Sequence, residues 1–447
     1  MREIVSFDPA TREELGRVLA ADAAEVERKV ASLGKELPAP PLEERVALVR
    51  RAAASLRAQA ASLAELMTRE QGKPLRESRA EVDNAADRLD YFCGTAPRAL
   101  APIEETLPAF RSATRFRPIG VVAAIKPWNF PVGIPLWTIG PALLAGNAVL
   151  FKPSERTPLL GQRIYEIFRE APIEIVHGAD ETGRAIVRSN VDMISFVGSQ
   201  AVGKEIMRES APRLRRLTLE LGGKDPMIVC ADADLDAAVA GAVAATFKNC
   251  GQVCCGVQRI YVEKPLFGSF LAGVVERTKK LKVGNGLDPA TDVGPMNREE
   301  QIETVERHLR DAAAKGARIV TGGRALGGLF FEPTVIAGIR EEMLLAQEET
   351  FGPVMPVTAV ADDEEAVRLA NATDFGLTAT VWTRDLERAD RIARRLQAGT
   401  IGVNQTVGSV VQCPWGGVKR SGIGRMLGPE AAREFADVVN YRLPRAQ

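Results

Sequence analysis

The stretch Val121-Val122-Ala123-Ala124-Ile125 contains only small and branched apolar residues, and it opens an alternation of short strands with helical segments. Ala148–Phe151, Ile173–Val176 and Met193–Val197 repeat the strand pattern, with helix-like segments between them. Short apolar strands that alternate with helices are typical of a parallel sheet covered by helices on both faces. This part of the chain is therefore predicted to form an open α/β sheet.

A second alternating block begins after Gly223. Its first predicted strands are Met227–Val229 and Arg259–Val262, and its first predicted helices are Leu235–Phe247 and Phe267–Lys280. We therefore expect a second α/β domain with a parallel sheet.

Two regions stand apart from these blocks. Residues 8–94 carry a helical pattern rich in Ala, Arg and Glu, and residues 98–118 lose it. Ser112–Phe116 alternates like an exposed strand, and Val438–Leu443 is a second strand-like segment near the end of the chain.

Composition limits the classes of function. A chain of 447 residues is expected to form two or three domains. Its 58 basic and 58 acidic residues balance, which argues against a nucleic-acid or anionic-membrane partner. The sequence has no secretory signal pattern and no apolar run of membrane-spanning length, and its six cysteines suggest no disulfide framework. A cytoplasmic location is expected.

Histidine is scarce, with only His177 and His308 in the sequence. This argues against a histidine-based triad and against most zinc sites. Cys250, Cys254 and Cys255 form no CxxC pair, so no metal site is predicted.

The stretch Phe247-Lys248-Asn249-Cys250-Gly251-Gln252-Val253-Cys254-Cys255 carries the strongest chemical signal. It places Cys254 in a turn of small residues after a predicted helix, where a thiol can act as a nucleophile. A buried structural thiol is an equal alternative from the spacing alone. For the neighbouring Cys250 and Cys255, packing is the favoured interpretation, with oxidative pairing to Cys254 as the alternative.

Two further segments carry polar groups beside turn residues. Glu220 ends an apolar strand before Gly222 and Gly223, where burial raises a carboxyl pKa toward that of a general base, although a salt-bridged edge residue has the same pattern. Asn129 lies in Pro127-Trp128-Asn129-Phe130-Pro131, a rigid setting for an amide donor or simply a turn. A nucleophile, a base and an amide donor together suit acyl chemistry.

These three segments together resemble the aldehyde dehydrogenase superfamily. Four more segments match its motifs in order: Lys152–Pro158, Phe196–Ser199, Glu349–Pro353 and Pro414–Gly422. The resemblance implies that Cys254 is the nucleophile, that Glu220 activates water, and that Asn129 and the Cys254 backbone N–H stabilise an oxyanion.

The resemblance also implies the domain organisation. It is an aldehyde dehydrogenase-like α/β fold with two open parallel-sheet domains and a small oligomerisation flap. Residues 1–97 and 119–222 would form an NAD-binding domain, residues 223–425 a catalytic domain, and residues 98–118 and 426–447 the flap and tail. A homodimer or homotetramer is expected.

No G-x-G-x-x-G motif follows the first strand of the predicted nucleotide-binding sheet. Gly422-Ile423-Gly424 matches its first three positions but lies in a late loop, so it is not interpreted as a nucleotide-binding turn. Gly198 instead opens a helix whose N-terminus can face a pyrophosphate. A carboxylate at Glu155 would accept from ribose hydroxyls and repel a 2′-phosphate, so NAD is the predicted cofactor. The cofactor-binding residues implied by the resemblance are Ile125, Pro127, Trp128, Lys152, Ser154, Glu155, Phe196, Gly198, Ser199, Val202, Leu221, Gly222, Glu349 and Phe351.

The substrate side is predicted to be an apolar tunnel. Its implied residues are Phe130, Trp137, Val253, Cys255, Ser409 and Trp415. No arginine can be assigned to a substrate carboxylate, so kcat/KM is expected to rise with chain length from acetaldehyde to hexanal. The segment Val411–Pro414 also resembles semialdehyde dehydrogenases, succinate-semialdehyde dehydrogenase among them.

The predicted function is NAD-dependent oxidation of an aldehyde to its carboxylic acid. Three alternatives stay open: a CoA-acylating semialdehyde dehydrogenase, against which Glu220 argues; a catalytically silent relative; and a cysteine hydrolase without cofactor.

Overall fold

The N-terminal part of the chain is mainly helical. The computed structural model describes residues 2–444, so the last three residues of the predicted tail lie outside the described part. The first elements are β1 (Glu3–Phe7), β2 (Glu14–Leu19), α1 (Ala23–Lys35), α2 (Leu42–Ala58), α3 (Ala60–Gln71), α4 (Leu75–Ala99), β3 (Ile103–Thr106) and β4 (Arg111–Pro118).

The helical prediction for residues 8–94 is wrong at its start, because β2 pairs antiparallel with β1. Strand β2 has only six residues, too few to show a helical period, and its partner lies outside the region that carries the helical pattern.

A six-stranded sheet follows, and it confirms the first predicted parallel block. Its strands β5, β6 and β8 are fully buried, which explains their uninterrupted apolar sequence. The elements are β5 (Val121–Ile125), α5 (Gly133–Leu144), β6 (Ala148–Lys152), α6 (Pro158–Phe168), β7 (Ile173–Ile175), α7 (Asp180–Arg188), β8 (Met193–Val197), α8 (Gln200–Ser210) and β9 (Arg216–Glu220). These five strands are parallel, in the order β9-β8-β5-β6-β7.

A seven-stranded sheet forms the second block, in the order β12-β15-β16-β11-β10-β17-β18. Only β12 runs antiparallel to its neighbour in this sheet. The elements are β10 (Asp225–Val229), α9 (Leu235–Phe247), β11 (Val257–Glu263), α10 (Lys264–Thr278), α11 (Glu299–Ala314), β12 (Arg318–Thr321), β13 (Ala325–Gly327), β14 (Phe330–Phe331), β15 (Thr334–Ala337), α12 (Leu344–Gln347), β16 (Val354–Val360), α13 (Asp363–Asn371), β17 (Thr378–Trp382), α14 (Leu386–Ala393) and β18 (Thr400–Val403).

The end of the chain returns to the earlier parts. Strand β19 (Gly422–Ile423) pairs antiparallel with β9 at the edge of the six-stranded sheet, so Gly422 lies in a sheet edge and Gly424 directly follows it. Strand β20 (Ala436–Leu443) pairs with β4 and completes a three-stranded sheet, β20-β4-β3.

The two large sheets meet end to end. Strand β9 finishes at Glu220 and β10 begins at Asp225, so the carboxyl ends of the first sheet face the amino ends of the second. The loop after β5 carries Asn129, and the turn before β11 carries Cys254. Ligands of open α/β sheets bind at the carboxyl ends of strands, so this junction is the expected position of a site.

Candidate active site

The turn that carries Cys254 has an unusual backbone. The three residues of Asn249–Gly251 all have left-handed dihedrals, with φ of 48°, 55° and 70°. The Gln252 side chain then locks the turn, because it donates to the Asn249 carbonyl over 3.1 Å and accepts from the Asn297 N–H over 2.8 Å. Left-handed non-glycine residues cost free energy, and here the surrounding hydrogen bonds hold them in place.

Glycines let the strand ends approach this turn. A Cβ on Gly223 would collide with the carbonyl oxygen of Cys254, and a Cβ on Gly251 would collide with the carbonyl of Gly352. Gly223 and Gly251 are therefore both required by close backbone contact.

The thiol of Cys254 lies beside the thiol of Cys255. A hydrogen bond between the two thiols, burial, and the negative charges of Glu220 and Asp225 raise the pKa of Cys254 well above its ordinary value. Cys254 is therefore a neutral thiol at pH 7 in the protein alone. Cys250 is separate from this pair. It is buried in the hydrophobic core of the seven-stranded sheet, with its sulfur 3.5 Å from that of Met296.

Glu220 is a buried carboxyl group with an unused oxygen. Burial raises its pKa to about 8, against the opposing effects of Arg425, Lys126 and a hydrogen bond from Trp415. Its Oε1 has no hydrogen-bond partner among residues 2–444. A buried unpartnered acceptor is costly unless a ligand or water uses it, so Glu220 has the properties of a general base.

Asn129 is buried and tied to the cysteine turn. Its Nδ2 donates to the Gln252 carbonyl over 3.1 Å, and its own carbonyl accepts from Lys73 Nζ over 2.7 Å and from Asn249 Nδ2 over 3.2 Å. Lys73 is itself buried and pairs with Glu81 over 2.6 Å. Sequence reasoning missed Lys73, although it follows a glycine turn and precedes a proline.

The carboxyl end of β6 carries the predicted ribose-binding group. Lys152 is buried, with Nζ 3.3 Å from the Pro153 carbonyl and 3.9 Å from Glu155, and burial lowers its pKa. The Ser154 hydroxyl lies 3.5 Å from the partly exposed Glu155 carboxylate. Glu155 also lines a cavity of about 1180 Å³.

The turn after β8 leaves room only for glycine. A Cβ on Gly198 would collide with the ring of Phe196. Ser199 then caps α8 by accepting from the N–H of Val202 over 3.4 Å, which leaves the other first-turn amides of the helix available to an anion.

A second carboxyl group closes the junction from the other sheet. Glu349 accepts from the Gly223 N–H over 3.2 Å, and burial raises its pKa to about 7. A Cβ on Gly222 would collide with this carboxylate. Phe351 meets Trp128 edge to face, with ring centroids 5.7 Å apart.

The remaining predicted cofactor residues border the same strand ends. Ile125 ends β5, and Leu221 follows β9 and packs close beneath Gly203 of α8. Pro127 begins the loop that leads to Asn129. The structure therefore brings the predicted cofactor-side residues to the carboxyl ends of β5, β6, β8 and β9, with Glu349 and Phe351 facing them from the second sheet.

Aromatic rings line the predicted substrate side. Trp137 meets Trp415 edge to face at 6.3 Å. Phe130, Cys254 and Cys255 pack against the apolar cluster that contains both tryptophans. Val253 is also buried, beside the nucleophile candidate in the turn.

Ser409 has an unexpected partner. The Nη2 atom of Arg88, on α4, donates to both the backbone carbonyl and the side-chain hydroxyl of Ser409, each over 2.9 Å. The guanidinium also lies 5.3 Å from the centre of the Trp137 ring. The sequence alone assigned no arginine to this end of the site, and the structure places Arg88 there. The one feature of the sequence that could have indicated Arg88 is its position seven residues after Glu81, which places both side chains on the same face of a helix.

A sequence model described as "Aldehyde dehydrogenase family" matches residues 1–440. The chain belongs to the aldehyde dehydrogenase family. It is 40% identical to the betaine aldehyde dehydrogenase of Cereibacter sphaeroides over 445 residues, covering 96% of this chain and 91% of that protein. It is 42% identical to the mitochondrial succinate-semialdehyde dehydrogenase of Oryza sativa subsp. japonica over 373 residues, covering 81% of this chain and 71% of the relative.

The fold agrees with solved structures of the family. The betaine aldehyde dehydrogenase of Staphylococcus aureus in complex with NAD+ superimposes with a TM-score of 0.96 at 34% identity, covering 100% of this chain and 93% of that one. The predicted α/β fold and the resemblance to aldehyde dehydrogenases are thus confirmed. The protein is an NAD(P)-dependent oxidoreductase that acts on aldehydes.

The described residues contain neither a membrane-spanning helix nor a cluster of metal ligands. No helix within residues 2–444 has the length and apolar character needed to cross a membrane. Over the same residues, no three His, Cys, Asp or Glu side chains are grouped so as to hold a metal ion.

Proposed function

We propose that the protein oxidises an aldehyde to its carboxylic acid with NAD, through a thioester on Cys254. The observation that carries this proposal is the junction where a thiol, a tethered amide and a buried carboxyl group with a free oxygen meet. Asn129 is tied to the turn of Cys254 by its hydrogen bond to Gln252, and the charge of Glu220 acts on the Cys254 thiol.

The first step forms a bond between Cys254 Sγ and the aldehyde carbon. Because the pKa of Cys254 is raised, the thiol needs a base, and Glu220 with its free Oε1 is the buried acceptor at hand. The aldehyde oxygen becomes an oxyanion, which the free N–H of Asn129 and the backbone N–H of Cys254 stabilise. A bound nicotinamide supplies the hydride acceptor.

The second step releases the acid. Once the proton taken from the thiol has left Glu220 for solvent, the carboxylate accepts a proton from water as the water oxygen bonds to the thioester carbon. The bond from that carbon to Sγ then breaks, the thiol of Cys254 is restored, and the carboxylic acid leaves. The indole of Trp415 acts on the Glu220 carboxyl group and would orient it for this step.

The residues at the carboxyl ends of the first sheet fit a dinucleotide. Lys152 and Glu155 would hold the adenosine ribose, the amide N–H groups at the start of α8 would hold the pyrophosphate, and Glu349 would hold the second ribose. A carboxylate at Glu155 repels a 2′-phosphate, which supports NAD over NADP.

The same proposal extends to the whole chain. The six-stranded sheet with residues 1–97 and 119–222 would bind NAD, and residues 223–425 would carry the nucleophile. The exposed edge strands β3 and β20 would pair copies of the chain into a homodimer or homotetramer. The six cysteines are all free in the structure, which supports a reducing compartment such as the cytoplasm.

An absorbance screen for NADH over a panel of neutral and charged aldehydes tests the proposal. Each aldehyde is supplied with and without CoA. Turnover to the free acid without CoA is expected. Turnover only with CoA would favour the acylating alternative, and no NADH from any aldehyde would refute the function.

A further inference from the structure

Arg88 is a half-buried cation beside the aromatic wall of the site. It lies on α4, which packs against α5, and α5 carries Trp137. The contacts continue toward the chemistry, because Trp137 meets Trp415, and the next residue, Gly416, lies so close to Glu220 that a Cβ there would be 2.9 Å from Glu220 Oε1. Arg88 is therefore two aromatic rings away from the proposed base.

The guanidinium has no counter-ion of its own. Among residues 2–444, no carboxylate lies within ion-pair distance of Arg88. The acid with an electrostatic effect on Arg88 is Glu81. Both oxygens of Glu81 already have partners, since Lys73 binds one and the N–H groups of Val132 and Gly133 bind the other. A buried positive charge without a partner is costly, and an anionic ligand would offset that cost.

The Arg88 guanidinium also has N–H groups that make no hydrogen bond within the described residues. Only Nη2 makes hydrogen bonds, both to Ser409, and within the described residues Nη1 and Nε have no acceptor. Nη1 lies near Gly133, since a Cβ on that glycine would be 3.7 Å away. Ser409 and the ring of Trp137 hold the group in place, so the free donors are preorganised.

We propose that Arg88 binds the anionic tail of the substrate, so that the preferred substrate is an aldehyde with a carboxylate at its far end. This inference rests on the proposed function and names its substrate class. It replaces the expectation of a neutral aldehyde, which depended on the lack of a cation in the site. The same charge on the face of Trp137 would repel an aldehyde with a quaternary ammonium tail.

The test compares three aldehydes with the whole enzyme and NAD. 5-Oxopentanoate carries the anion, pentanal replaces the carboxylate by a methyl group, and trimethylammonioacetaldehyde carries a cation. The wild-type kcat/KM is expected to fall in that order, with 5-oxopentanoate above pentanal by about tenfold or more. Oxidation of none of them would refute the proposed function. Oxidation with pentanal equal to or above 5-oxopentanoate would refute only the role of Arg88.

Variants separate binding from structure. Arg88→Gln is expected to lower the ratio of kcat/KM for 5-oxopentanoate to that for pentanal by about tenfold, mainly through KM. Arg88→Lys keeps the charge and should retain most of the ratio. Arg88→Met keeps the apolar stem without the charge and replaces the Gln variant if that variant does not fold. The control is Arg79→Gln, an exposed arginine of the same helix paired with Asp83, which should leave the ratio unchanged. An unchanged ratio in the folded neutral variant, Arg88→Gln or Arg88→Met, would overturn the inference.

Discussion

The side-chain amide of Asn129 donates to the backbone carbonyl of Gln252 over 3.1 Å. Gln252 lies two residues before Cys254, so this bond joins the loop after β5 in one sheet to the turn before β11 in the other. An amide nitrogen carries two N–H groups, and within residues 2–444 the second one has no acceptor. It is available to an oxygen bound at Cys254.

Replacing Asn129 by Asp tests that donor. The variant keeps the shape of the side chain but removes both N–H groups and adds a carboxyl oxygen beside the developing oxyanion. We expect kcat to fall by about 100- to 1000-fold. Asn84→Asp, at an exposed position of α4, is the matched control and should have wild-type kinetics. A loss smaller than threefold in Asn129→Asp would exclude Asn129 from the oxyanion site.

The ionisation of Cys254 is measurable without substrate. Its pKa is raised by Cys255, burial and two acids, so the thiolate is a small fraction at neutral pH and grows as pH rises. The rate of iodoacetamide alkylation at Cys254, in the absence of NAD, should rise about tenfold per pH unit from pH 6 to pH 8.5. Peptide mapping against a Cys254→Ser variant isolates the signal. A rate that levels off below pH 8 would mean a lowered pKa instead.

Because Gly223 packs closely against the Cys254 carbonyl, alanine at position 223 is expected to lower activity, whereas alanine at the exposed Gly268 is not. Gly223→Ala forces the cysteine turn to move, and a shift of about 1 Å costs roughly 100-fold in rate. Gly268→Ala lies on an exposed face of α10 with open space around it, and it should stabilise the fold by up to about 1 kcal/mol with activity unchanged. Similar activity in both variants would show that the turn tolerates displacement.

The sequence predicted the buried parts of the fold best. β5, β8 and α9 were predicted with the bounds that the structure has. The two strands are fully buried, and full burial leaves a largely apolar sequence. The hairpin of β1 and β2 was missed, since its short strands are stabilised by pairing with each other and not by a local pattern.

The same division holds for the site. Cys254, Glu220 and Asn129 stand beside Gly or Pro, and such turns are visible in a sequence. Lys73 and Arg88 belong to the helical N-terminal region, and only tertiary packing brings them to Asn129 and Ser409. Arg88 has no ion-pair partner because Glu81 binds Lys73 and two backbone N–H groups instead, and these tertiary contacts cannot be predicted from the spacing of residues in the sequence.

Glu155 predicts the cofactor preference. Glu155→Gln removes the charge that would repel a 2′-phosphate, so kcat/KM for NADP relative to NAD should rise by about tenfold. Glu166→Gln, an exposed glutamate of α6, is the control and should leave the ratio unchanged. A wild-type enzyme that prefers NADP would contradict this account of Lys152 and Glu155.

The covalent intermediate is the central claim, and Glu220→Gln is the variant that should make it visible. Without the carboxylate, bond formation at Cys254 can still occur, although more slowly, while hydrolysis stalls. We expect a burst of NADH equal to the number of active sites, followed by slow turnover.

Acid quenching of Glu220→Gln during that burst, followed by peptide mass spectrometry, tests the claim most directly. The account predicts one acyl group per chain on the tryptic peptide from Asn249 to Arg259, localised to Cys254 by fragmentation and absent when Cys254 is also replaced by Ala. An acyl group on Cys250 or Cys255, or full turnover by Cys254→Ala alone, would contradict it.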